Sequence, residues 1–66
     1  MNVGETIIFT RDFPRLQVKA GETARIDSVK GEGIFEVSFY SLQQRDRQSL
    51  IVIKDWIKEE QKQDGQ

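Results

Sequence analysis

The segment Ile34-Phe35-Glu36-Val37-Ser38-Phe39-Tyr40 constrains this chain more than any other. Its alternation puts Phe35, Val37 and Phe39 on one face and Glu36 and Ser38 on the other, the period of a strand with one side on a core. With 66 residues there is room for one domain, and a chain of this size buries only about 60% of the surface its unfolded form exposes. The core must therefore be small and nearly complete. The sequence contains no cysteine and no histidine, so neither disulfides nor thiolate ligation can staple the fold. Stability has to come from apolar burial or from a partner.

Other segments extend the same architecture. Glu5 to Thr10 reads as a first strand, with Ile7 and Phe9 pointing one way and Ile8 the other. Arg11 to Ala20 is a long connection in which Asp12 and Pro14 favour turns and Phe13, preceding proline, is pushed toward extended geometry. Leu16 and Val18, spaced by two, tuck back onto the core. After the Gly21 turn, Thr23 to Val29 reads as a second strand with Ala24 and Ile26 inward. Val29 falls out of step with that face, which fits either a bulge near Asp27-Ser28 or a strand end that packs elsewhere. Lys30-Gly31-Glu32-Gly33 supplies glycines for a tight hairpin. Ser41 to Gln48 is expected as a polar hairpin tip, and Ser49 to Ile53 as a fourth strand with apolar groups on both faces. Lys54 to Ile57 should form one tight helical turn that returns Ile57 to the core. Lys58 to Gln66 holds no apolar residue and is expected as a charged extension, a frayed helix or disordered, beyond a domain spanning residues 1–57.

These residues lead to an all-β, small SH3-like barrel of four to five strands, with one long loop after the first. Asp12 to Ile26, then Gly33 to Phe39 and Leu50 to Ile53, resemble a family of small, uncharacterised bacterial SH3-like barrel proteins. In that family an acidic-apolar-Pro loop leads to Leu-x-Val/Leu-Lys-x-Gly, then a Tyr/Phe-Glu-Val-x-Phe strand and a final Val-rich strand. The resemblance spans roughly residues 5–57 and departs at Ala24, where the family often has glycine. It implies the fold and adds little about activity. Similar small barrels serve as accessory subunits of photosynthetic electron-transfer complexes.

Composition narrows function by subtraction. Ten Lys and Arg stand against eleven Asp and Glu, a net charge of -1, without the basic excess that supplies most non-specific affinity for nucleic acid. No apolar run approaches the ~18 residues of a membrane span, and the N-terminus lacks a signal-peptide layout, so the expected location is the cytoplasm. Without His or Cys, and with little room for an enclosed pocket, no catalytic set is identified, and neither a metal site nor a cofactor is expected.

The expected role is a non-catalytic protein-binding module, an accessory or regulatory subunit of a larger complex. Arg11, Phe13, Arg15 and Lys19 would supply a basic loop with an exposed aromatic, suited to an acidic or extended peptide, unless Phe13 and Leu16 cap the barrel end and the three cations are ordinary solvated charges. Ile34, Tyr40 and Ile51 lie opposite the core residues and would add an apolar outer surface, with Ile8 on a similar face. Trp56 is read as core or as a lid over such residues. One alternative is a nucleic-acid-binding barrel using Arg11, Arg15, Lys19, Arg45 and Arg47. Another is a self-assembling protein in which Ser49 to Ile53 pairs with its own copy.

Overall fold

In the computed structural model, which describes residues 1–60, the apolar alternation becomes a single five-stranded antiparallel sheet. The strands are β1 (Thr6–Phe9), β2 (Thr23–Gly31), β3 (Ile34–Ser41), β4 (Asp46–Ile53) and β5 (Ile57–Glu59). They are ordered β4-β3-β2-β1-β5, with no pairing recorded between β4 and β5 to close the barrel. This is consistent with an SH3-like barrel. Among the described residues the remaining regular structure is two 3-10 turns, Pro14–Leu16 and Lys54–Trp56.

The inner face carries the core: Ile7 and Phe9 of β1, Ala24 and Ile26 of β2, Phe35, Val37 and Phe39 of β3, Val52 of β4, Ile57 of β5 and Val18 of the loop. Ile57 reaches this cluster because the Lys54–Trp56 turn redirects the chain, after which β5 pairs with β1 in the register Phe9↔Ile57. Leu16 and Trp56, both half-buried, pack against the same core.

The bulge near Asp27 is present, with the β2–β3 register shifting between Ile26 and Ser28 and again between Val29 and Gly31. A slip of one residue moves a side chain off its face. Val29 is accordingly exposed while Ala24 and Ile26 are buried.

Two expectations are corrected. The fourth strand begins at Asp46, three residues before Ser49, because β3 keeps pairing as far as Ser41↔Asp46 and a backbone ladder needs no apolar side chains. The hairpin tip is thus only residues 42–45, held by Arg45 N–H donating to Ser41 O at 2.8 Å and Gln44 N–H donating to Ser41 Oγ at 3.2 Å. Lys58 and Glu59 belong to β5 and are not part of a frayed extension. Glu60 follows β5 outside any strand, its N–H donating to Thr6 O at 3.4 Å, and residues 61–66 lie outside the described residues.

Candidate functional site

The long connection after β1 is a closed structure. Phe13 N–H donates to Val18 O at 2.8 Å, and Val18 N–H returns to Phe13 O at 3.2 Å, so the Pro14–Leu16 turn is pinched at its base. Asp12 Oδ1 accepts from Ala20 N–H at 2.8 Å, and Glu22 Oε2 from Lys19 N–H at 3.0 Å. Local carboxylates therefore satisfy backbone donors that the sheet cannot reach.

This order decides where Phe13 goes. Of its two readings, an exposed aromatic or a cap on the barrel end, the structure has the cap: Phe13 is half-buried and packs edge-on between Phe9 and Trp56, at centroid distances of 5.4 and 5.7 Å. The Arg11 guanidinium lies 5.6 Å from the Phe13 centroid and 5.3 Å from that of Trp56. Both aromatic faces thus have an intramolecular cation. Arg11 and Phe13 form the capped end of the core. Arg15 and Lys19 remain exposed.

The pinched turn instead forms one wall of a shallow cleft whose other wall is the β3–β4 tip. Leu16, Gln17 and Glu22 line it from the loop side and Phe39, Tyr40, Leu42 and Gln43 from the β3–β4 side. Tyr40 and Leu42 are 56% and 83% exposed, Leu42 more than any other large apolar residue described. An adjoining hollow is lined by Arg15, Gln44 and Gln48 together with Leu16 and Gln17. Of the residues singled out as site candidates from sequence, Tyr40 lines the cleft and Arg15 the hollow beside it. Leu16, Gln17 and Leu42 complete the cleft. Leu42 lies within the segment read as a polar tip, and its signal was a single apolar residue in a polar turn.

Ile34 and Ile51 lie at the opposite end of β3 and β4 from Tyr40. Ile34 stands across from Ile53, and Ile51 from Glu36. All three isoleucines are exposed. Between them and Tyr40 runs a polar strip in which Arg47 Nη2 donates to Ser38 Oγ at 2.8 Å, Ser28 Oγ donates to Glu36 Oε1 at 3.0 Å, and Arg25 Nε lies 3.2 Å from Asp27 Oδ1. The Ser38 hydroxyl, with the Arg25 guanidinium, holds the Asp27 carboxyl below its ordinary value. Ser38 itself is buried.

The cations proposed for nucleic acid are not uniformly available: Arg11 is stacked on two rings and Arg47 is engaged with Ser38. Among the described residues, no group of three or more His, Cys, Asp or Glu is arranged to hold a metal ion, and no helix is long and apolar enough to cross a membrane. Comparison with protein-family models, curated proteins and solved structures finds no match to this chain.

Proposed function

We propose that this protein is a binding module, acting as an accessory or regulatory subunit by holding an extended segment of another protein in the cleft between the Pro14–Leu16 turn and the β3–β4 tip. The observation that carries this reading is the exposure of Tyr40 and Leu42 beside Leu16 in one groove. Large apolar side chains left in water at a concave site gain by burying against a partner. Gln17, Gln43 and Gln44 around them offer amide donors and acceptors to a peptide backbone, and Arg15 supplies a rim cation that favours an acidic residue on the partner.

The test is affinity capture from a host lysate with wild type, a Tyr40→Ala, Leu42→Asp variant and an Ile34→Asp control, each with and without nuclease. The expected outcome is a protein captured by wild type and the control, retained after nuclease and lost by the cleft variant. Retention by the cleft variant overturns the assignment of the cleft. Loss on nuclease treatment transfers the reading to nucleic acid.

A further inference from the structure

The free edge of β4 differs from the other exposed edge of the sheet. β5 offers three residues, two of them charged, whereas β4 offers eight residues paired to β3 in unbroken register from Ile34↔Ile53 to Ser41↔Asp46. It contains no proline, glycine or lysine and, among its described pairings, no bulge, the devices that ordinarily discourage edge-to-edge pairing. Arg47, a charged side chain near its start, is drawn over the sheet face to Ser38.

The backbone indicates which groups face outward. Lys54 N–H donates to Gly33 O at 2.8 Å, continuing the β3–β4 ladder. Antiparallel alternation then turns residues 46, 48, 50 and 52 toward β3 and leaves the N–H and C=O groups of Arg47, Ser49, Ile51 and Ile53 on the open side. Consistently, the Arg47 N–H is met by its neighbour's carboxylate, Asp46 Oδ1, at 2.8 Å.

We infer that β4 pairs antiparallel with β4 of a second copy of this chain, about a two-fold axis at Leu50. In this register Ser49 lies opposite Ile51 of the other copy and Arg47 opposite its Ile53, so outward groups meet outward groups. The half-buried Leu50 meets its own counterpart at the axis, and on the opposite face the exposed Ile51 of each copy stands beside Ser49 of the other. The charges at the ends favour this alignment, because Asp46 falls opposite Lys54, the residue that follows Ile53 in the ladder, twice by symmetry. Shifting the alignment by two residues in either direction puts a glutamine, Gln44 or Gln48, opposite Lys54, and the pairing of Asp46 with Lys54 disappears. Pairing would release Asp46 from the Arg47 N–H to meet Lys54. The occupant follows from that self-complementarity: a second copy presents both the matching donors and the matching charges. The inference is independent of the cleft, which lies on other residues.

Sedimentation equilibrium across a wide concentration range, with single charge exchanges, tests it. Wild type is expected to dimerise reversibly. Asp46→Lys and Lys54→Asp, each alone, should weaken self-association at least about tenfold, since each places like charges opposite each other. Mixing the two variants in equal amounts should restore the dimer, because each supplies the charge the other lacks. A monomer throughout, single variants that dimerise like wild type, or a mixture that fails to recover would each overturn the inference. Should either single variant fail to melt cooperatively, the doubly exchanged chain carrying D46K and K54D decides: recovery of the dimer supports the edge and a monomer overturns it.

Discussion

The guanidinium of Arg11 stands 5.3 Å from the ring centroid of Trp56, joining the start of the long loop to the turn before the last strand. The two residues are 45 positions apart in sequence, and the contact ties both ends of β1's surroundings to one aromatic cluster. Arg11→Ala and Trp56→Ala, combined in a double-mutant cycle by urea unfolding, should show a coupling of about 0.5–1 kcal/mol. Arg11→Lys should recover only part of it, because an ammonium keeps the charge but not the planar stack.

Phe9 lies at the centre of that cluster, with Phe13 and Phe39 both edge-on to it and essentially no exposed surface. Phe9→Ala should cost about 3–5 kcal/mol. A domain this small holds a total of only about 3–10 kcal/mol, so the variant should lose its cooperative thermal transition by circular dichroism. Phe13→Ala, at a half-exposed position, should still fold with a lowered midpoint.

Arg45 adopts a left-handed backbone conformation, φ 56, at the last position of the β3–β4 tip. That geometry costs a non-glycine residue about 1 kcal/mol, offset in part by the greater unfolded-state freedom of glycine. Arg45→Gly should therefore raise stability by a few tenths of a kcal/mol to about 1 kcal/mol, and Arg45→Val should lower it. Denaturant midpoints measured side by side would show the opposite signs.

Asp27 has a depressed carboxyl pKa through Ser38 and Arg25. A group held below its unfolded value stabilises the fold above the unfolded pKa, and this contribution is lost as pH falls through the folded one. The loss should thus occur in acid, below the ordinary Asp value of 3.8. Wild type should lose more stability than Asp27→Asn between about pH 6 and about pH 3. Ser38→Ala should move the Asp27 titration upward when the carboxyl is followed by NMR.

Much of this architecture is legible in residue order. The alternation of Phe35, Val37 and Phe39 gives β3 and its inward face, Ala24 and Ile26 give that of β2, and Val29 falling out of step marks the bulge. These are local matters, because side chains in a strand alternate by geometry and the chain either honours the period or breaks it. The first three residues of β4 and the charged β5 carry no such pattern. They are strands because β3 and β1 present backbone groups to pair with, a fact set by neighbours in space.

The same division runs through the candidate site. Arg15 and Tyr40 were recognisable as polar and aromatic residues outside the core pattern, but the cleft that Tyr40 shares with Leu16 and Leu42, and the hollow beside it that Arg15 lines, depend on a loop that folds back from much earlier in the chain. Arg11 and Phe13 had an identical appearance in sequence and a different fate, since Trp56 arrives from the far end of the chain to cover one ring and share the cation. Which apolar residues a chain owns, and with what period, is written in its order. Which of them stay in water depends on what else the fold brings within about 4 Å to cover them.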